Sequence, residues 1–190
     1  MISPFSDIVT PRLVLRLMNA EVISASMDGK LAEAALLLGA KIPVELLENL
    51  STLNYNREQL ETDQNYMPWS ARAIILANEN IMVGIVRFHS TPDPEYLRMY
   101  ARGAVELGYR IFSNYRRMGY AKETVKAVLA WAGVNFNITS FVASVSPSNV
   151  PSFSLINSLG FIKVDEVMDE TDGLEHVFML NSNFITKQLH

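Results

Sequence analysis

The stretch from Ala104 to about Asn135 constrains this chain most, because two periods meet in it. Val105, Leu107, Tyr109 and Ile111 alternate with Glu106, Gly108 and Arg110, which is the two-residue period of a β-strand. From Ala121 onward, Ala121, Val125, Val128, Leu129 and Ala132 form an apolar stripe at helical spacing, and Lys122, Glu123 and Lys126 stay outside it. Between them lies Phe112-Ser113-Asn114-Tyr115-Arg116-Arg117-Met118-Gly119-Tyr120, a loop that puts two arginines and a glycine just ahead of the helix. The first N–H groups of a helix lack internal partners and sit at the positive end of its dipole. Such a junction suits an anion, phosphate above all, and Gly119 and Ala121 let the backbone approach it closely.

The remaining segments predict a mixed α+β domain. Thr10 to Leu17 alternates Leu13, Leu15 and Leu17 after Pro11 and reads as a strand. Ala20 to Gln64 turns helical, with Leu31, Ala34, Ala35 and Leu38 in period before Gly39, and a new helix able to begin at Pro43. Arg72 to Ala77 and Ile81 to His89, joined by Asn78-Glu79-Asn80, read as an antiparallel hairpin. Phe141 to Val145 reads as a strand and Val150 to Leu159 as a short helix closed by Gly160. Phe161 to Val167 with Glu175 to Leu180 reads as a terminal hairpin. No period or low-complexity run divides the chain, so one domain over residues 1–190 is expected.

Composition removes other classes. With 190 residues the chain can bury a full core without staples. It has no cysteine, which excludes disulfides, thiolate nucleophiles and cysteine-ligated metals. A formal net charge of −4 lacks the positive field of nucleic-acid binders. Apolar runs around Leu36 and from Ala127 to Val134 fall short of the ~20 residues that cross a bilayer. Met1 to Thr10 carries no signal-peptide pattern, so a cytoplasmic protein with neither nucleic-acid nor membrane partners is expected. His89, His176 and His190 show no ligand spacing, and no metal site is expected. Hydrolase elbows, phosphate-binding loops ending in Gly-Lys and dinucleotide fingerprints do not occur.

Two motifs in order carry a family resemblance. Arg116-x-x-Gly119-x-Ala121 after a strand resembles the acyl-CoA pyrophosphate loop of the GNAT superfamily of N-acetyltransferases. Asn149-x-x-Ser152-x-x-Leu155-x-x-x-Leu159-Gly160-Phe161 resembles that superfamily's later strand–helix–strand segment. Thr10-Pro11-Arg12-Leu13-x-Leu15-Arg16 and Glu106-Leu107-Gly108-Tyr109 look like the branch containing the ribosomal-protein N-terminal acetyltransferases of RimJ/RimL type. The resemblance covers about Thr10 to Leu180 and is weak between Gly39 and Trp69, where the family usually builds its acceptor-binding helices.

The resemblance implies the GNAT fold, a single mixed and mostly antiparallel sheet with splayed central strands flanked by helices. It implies acetyl-CoA as cosubstrate and no metal. It assigns Arg116 and the backbone N–H groups of Arg117, Met118, Gly119, Tyr120 and Ala121 to the CoA pyrophosphate. Backbone of Ile111 and Phe112 goes to the pantetheine arm, and Asn149 and Ser152 to the pantetheine and thioester region. Arg117 stands where many members have Gly and others Arg. Gly108 is a candidate kink beside the acetyl carbonyl.

Acetyl transfer to an amine needs an uncharged amine, a place for the oxyanion and protonation of the departing thiolate. Glu106 is the candidate base, directly or through water, against the plain alternative of a strand carboxylate paired with Arg110 or another cation. The family's usual general-acid Tyr falls on Ile156. Ser152, with Asn149 or water, is the candidate to serve the leaving sulfur, against a role as helix cap. Without Cys, direct transfer in a ternary complex is expected. Within the family, a protein N-terminal α-amino group is the expected acceptor, with a polyamine or aminoglycoside-like amine as alternative. A non-catalytic acyl-CoA-binding module is the rival from another class. Asp165, Glu166, Asp169, Glu170, Asp172 and Glu175 crowd the terminal hairpin and could form an acidic rim for a cationic acceptor. The Leu-rich segment Leu31 to Leu50 could support a homodimer or a lid.

Overall fold

A computed structural model describes residues 3–169 and 173–181. The chain divides into two compact units. One comprises the residues up to Phe88 with Tyr109–Val128, the other His89–Gly108 with the residues from Leu129 on.

In the first unit, β1 (Ile8–Val9), β2 (Leu13–Leu17), β3 (Arg72–Leu76) and β4 (Ile81–Phe88) pair antiparallel in that order. β2 starts at Leu13 rather than Thr10, because the Thr10 hydroxyl accepts the Leu13 N–H and turns the chain there. Leu13 and Leu15 are fully buried. The strand that begins at β5 (Val105–Ile111) continues the order, since Phe112 donates its N–H to the Val83 carbonyl at 2.8 Å. The region after β2 folds into α1 (Ala20–Met27), α2 (Leu31–Leu38) and α3 (Leu50–Thr62), with 3-10 turns at Val44–Asn49 and Gln64–Trp69. Gly39 ends α2 in the left-handed conformation at φ 70°, and its N–H returns to the Ala35 carbonyl. Val22, Ile23, Leu38, Leu46 and Leu53 from these helices cluster with Ala71, Ala73, Ile75, Met82 and Ile85 of the strands and their approach. Burying such side chains contributes about 1.5–3 kcal/mol each.

β3 is buried along its whole length, Arg72 included. Burial pulls the Arg72 guanidinium down to about 10, against the opposing pull of Asp7. Its N–H groups donate to the carbonyls of Pro4, Ser6 and Leu15, so a buried cation ties the N-terminal segment to the sheet.

In the second unit, the N-terminal half of β5 pairs parallel with β6 (Ser140–Val145) through Val105↔Phe141 and Glu106↔Val142. β6 pairs antiparallel with β8 (Gly173–Asn181), and β8 with β7 (Ile162–Asp169). The strand order is therefore β1-β2-β3-β4-β5-β6-β8-β7, the mixed, mostly antiparallel sheet that the alternation and the family resemblance imply. α4 (Tyr120–Phe136) runs one residue beyond the expected helix at each end, with Val125, Val128, Leu129 and Ala132 buried. α5 (Val150–Ser158) presents Ile156 inward, and the Phe153 ring meets Phe178 edge-on at 5.5 Å. Among the described residues, no helix is long and apolar enough to cross a membrane.

Candidate functional site

The loop between β5 and α4 carries two left-handed residues just ahead of a helix. Arg116 is extended at φ −71°, ψ 159°, then Arg117 and Gly119 adopt left-handed conformations at φ 63° and 81°. α4 begins at once with Tyr120. Residues 116–119 are exposed. Arg116 folds back, its Nε donating to the Ile111 carbonyl at 3.0 Å.

Arg12 braces this loop. Its Nε donates to Glu123 Oε2 at 2.7 Å, a terminal nitrogen donates to the Met118 carbonyl at 2.9 Å, and the guanidinium lies 4.7 Å from the centre of the Tyr120 ring. Glu123 also accepts the Thr10 hydroxyl at 2.6 Å and the Arg12 N–H at 3.0 Å. Burial raises the Glu123 carboxyl, but these hydrogen bonds and the Arg12 charge outweigh it and hold the group below its ordinary range. A Cβ on Gly119 would stand 3.3 Å from an Arg12 nitrogen, so guanidinium and glycine fit each other. The Thr10-Pro11-Arg12 segment, expected from sequence to begin the first strand, instead precedes it and fixes the first turn of α4.

A second anchor holds the end of β5. The Glu45 carboxylate, on the first 3-10 turn, accepts both the Ser113 N–H and its hydroxyl at 2.8 Å. Glu48 on the same turn pairs with Arg110 at 3.2 Å. Arg110 therefore does not partner Glu106, as the plain reading of that strand allowed. Phe112 has its backbone engaged as well, N–H to Val83 and carbonyl from the Tyr115 N–H, just as the Ile111 carbonyl accepts Arg116 Nε.

The charge-bearing face of β5 is not a solvated face. Glu106 is 5% exposed. Its Oε1 accepts the Ser144 hydroxyl at 2.6 Å, its Oε2 lies 3.5 Å from His89 Nδ1, and the Tyr96 hydroxyl also bonds to it. Burial pushes this carboxyl up, but the hydrogen bond and charge of His89, with the Ser144 and Tyr96 hydroxyls, prevail and hold it at about 2. Glu106 is thus built to stay anionic. His89 follows β4, and its N–H donates to the Glu106 carbonyl at 2.8 Å, so the two residues are neighbours across the ladder. A Cβ on Gly108 would lie 2.7 Å from His89 Nε2, so the ring occupies the room that Gly108 leaves. His89, Tyr96 and Ser144 carry no motif in the sequence; only strand pairing brings them to Glu106.

Asn149 caps α5, its Oδ1 accepting the Ser152 N–H at 3.2 Å. The cap is therefore Asn149, and Ser152 stands inside the first turn. Ile156 is fully buried. The acidic hairpin is largely self-engaged: Asp165 accepts the Tyr100 hydroxyl at 2.9 Å and the Glu166 N–H, and Glu166 pairs with Lys163 and His176. Asp169 and Glu175 also have partners. Glu170, Asp172 and His190 lie outside the described residues. Among those residues no cluster of three His, Asp or Glu side chains is arranged to hold a metal ion.

Comparison with known proteins agrees with this geometry. The chain is 25% identical over 87 residues to the uncharacterized N-acetyltransferase YnaD of Bacillus subtilis, covering 46% of each chain. It spans less than half the length of the curated relatives it matches. Its fold resembles a putative ribosomal-protein-serine acetyltransferase from Vibrio cholerae, with a TM-score of 0.64 at 20% identity, covering 95% of this chain and 99% of that one. It also resembles the microcin C7 self-immunity acetyltransferase MccE in complex with acetyl-CoA and AMP, at a TM-score of 0.64 and 11% identity, covering 95% and 98%. Residues 40–162, which include the loop, Glu106 and the Asn149 cap, match the model of the acetyltransferase (GNAT) domain, and to that family the chain belongs.

Proposed function

We propose that the chain, acting as one domain, transfers the acetyl group of acetyl-CoA to a primary amine, and that the amine is the α-amino group of a protein N-terminus, as in acetylation of ribosomal proteins. The observation that carries the cosubstrate is the loop at 116–119, where two left-handed residues precede a 17-residue helix and Arg12 holds the turn from behind. There the N–H groups of Arg117, Met118, Gly119, Tyr120 and Ala121 bind the diphosphate, with Arg116 adding charge. The Ile111 carbonyl takes the pantetheine arm, and Asn149 and Ser152 attend the thioester.

The acceptor follows from charge. The hairpin carboxylates Asp165 and Glu166 are already paired, which argues against a polyamine that needs several. An α-amino group of pKa ~8 also sheds its proton far more readily than a lysine at ~10.4. The CoA thiol resembles other thiols, with pKa near ~8.5, so it departs as a thiolate without the phenol that Ile156 replaces.

The test is CoA release followed with a thiol reagent, against which this cysteine-free chain gives no background. Release with N-terminal peptides and not with spermidine or aminoglycosides is expected. Release with the small amines alone overturns the acceptor, and no release with any amine overturns the activity.

A further inference from the structure

We propose that Asn56 and Arg87 of the first unit bind a carboxylate group, a function that acetyl transfer does not require. Two buried donors carry the proposal, Asn56 Nδ2 and Arg87 Nη1, which no acceptor among the described residues meets.

Three elements build the site. Asn56 is on α3, Tyr66 on the 3-10 turn at Gln64–Trp69 and Arg87 on β4. Asn56 is fully buried, and its amide cannot turn over, because Oδ1 accepts the Ala71 N–H at 2.8 Å and that partner only donates. Nδ2 is therefore fixed on the other side of the amide. Tyr66, also fully buried, lies against both residues. Its hydroxyl donates to the Phe88 carbonyl at 2.6 Å, stands 3.3 Å from Asn56 Oδ1 and is hydrogen-bonded to Arg87.

Charge is unbalanced at the same place. Arg12, Arg16, Arg98 and Arg110 each lie within 3.2 Å of a carboxylate, whereas Arg87 has no ion pair among the described residues. Tyr66 does not supply the missing charge, since burial pushes its hydroxyl up to about 12 and keeps it protonated. The Arg87 guanidinium is held 4.4 Å from the centre of the Tyr55 ring, which fixes where it lies. A buried donor without an acceptor and a part-buried charge without a counter-charge each cost stability that a ligand restores. Arg87 is half-buried and Tyr55 exposed, and side chains at a surface turn over within nanoseconds, so a ligand has a way in.

The donors specify the ligand's chemistry. An amide and a guanidinium offer N–H groups and one positive charge; a carboxylate has two acceptor oxygens and one negative charge. A phosphate dianion brings two charges to the one cation. The carboxylate arrives as a free acid or as the acidic side chain of a peptide, and the recognition is the same in either case.

Wild type, Arg87→Gln and Asn56→Asp, each as the full chain, test the site by thermal denaturation followed with circular dichroism. The probes are sodium acetate, sodium succinate and a pair of short peptides, blocked at both ends, that differ only in Glu against Gln. Sodium chloride at equal ionic strength is the control. Carboxylate should raise the wild-type melting temperature by at least about 3 °C over chloride at saturation. R87Q removes the charge. N56D keeps an oxygen for the Ala71 N–H and gives Arg87 a carboxylate of its own, so in both variants the rise should fall below about 1 °C. A rise with the acids alone assigns a free carboxylate, and a rise with the Glu peptide but not the Gln peptide assigns a peptide; either supports the site. Nitrogen resonances of the Asn56 amide and the Arg87 guanidinium in wild type give a readout that needs no variant, and both should move on titration. Equal melting in carboxylate and chloride with those resonances unmoved overturns the site and leaves its donors to water. A rise that persists in folded R87Q and N56D overturns it as well, because the carboxylate then binds elsewhere.

Discussion

Replacing Glu106 by Gln should change how stability depends on acid, and the size follows from its surroundings. Burial alone would raise this carboxyl, but the His89 hydrogen bond and charge, with the Ser144 and Tyr96 hydroxyls, bring it from the usual 4.5 to about 2. A carboxyl depressed in the folded state stabilises that state fully above its unfolded value and loses the contribution as pH falls toward the folded one. The window here runs from pH 4.5 down to 2. A depression of about 2.5 units corresponds to about 3 kcal/mol, of which about 2 kcal/mol is gone by pH 3. The amide of E106Q has no proton to take up. Urea unfolding of both proteins at pH 7, 5, 4 and 3 should therefore show wild type losing about 2 kcal/mol more than the variant between the two extremes. Carboxylates elsewhere titrate in both proteins alike, so the difference belongs to Glu106 together with the His89 it pairs with. Two curves that fall in parallel would refute the claim that Glu106 is held anionic by its neighbours.

Three further outcomes follow from local geometry. A Cβ on Gly84 would stand 2.2 Å from the Arg110 carbonyl oxygen, a backbone atom that cannot swing aside, so G84A should force β4 and the end of β5 apart. The cost is about 2–3 kcal/mol, or a melting temperature lower by about 5–10 °C; a shift under 2 °C would show that the strands yield freely. Arg12→Ala removes the hydrogen bond to the Met118 carbonyl and the pair with Glu123, and steady-state kinetics should show KM for acetyl-CoA up about tenfold, the weight of one charge-assisted hydrogen bond. An unchanged KM would separate Arg12 from the loop's function. Asn149→Ala deletes the cap of α5 and should lower unfolding free energy by about 1 kcal/mol; no measurable loss in denaturant titrations would mean the cap hydrogen bond to Ser152 is idle.

What sequence reveals here divides by the range of the interactions involved. β5 and α4 are legible because each side chain's place follows from its own neighbours, a period of two that gives way to a stripe at helical spacing. The turn at Gly119 is legible for the same reason, since a left-handed residue before a helix is a local demand. The 3-10 turns at Val44–Asn49 and Gln64–Trp69 have no period to betray them. They are fixed from a distance, Glu45 by Ser113 and Tyr66 by the Phe88 carbonyl, to which its hydroxyl donates at 2.6 Å.

Glu106 lies at the hard end of that division. Alternation puts it on a polar face beside Arg110, and an isolated strand would leave both in water. Arg110 instead goes to Glu48, and Glu106 is covered by side chains from the end of β4, from a 3-10 turn and from β6, with Ser144 38 residues away along the chain. A family resemblance transfers a position; it does not transfer the company that position keeps. The same carboxylate is open to an incoming group if solvated and closed off if a histidine and two hydroxyls surround it, and those partners also hold its pKa down. Only the pairing of β4 with β5 and of β5 with β6 determines which company it has. The chemistry of this chain is thus encoded in its strand register, and a change that slips β5 by one residue would turn Glu106 to the other face of the sheet, parting it from His89 while every motif in the sequence stays intact.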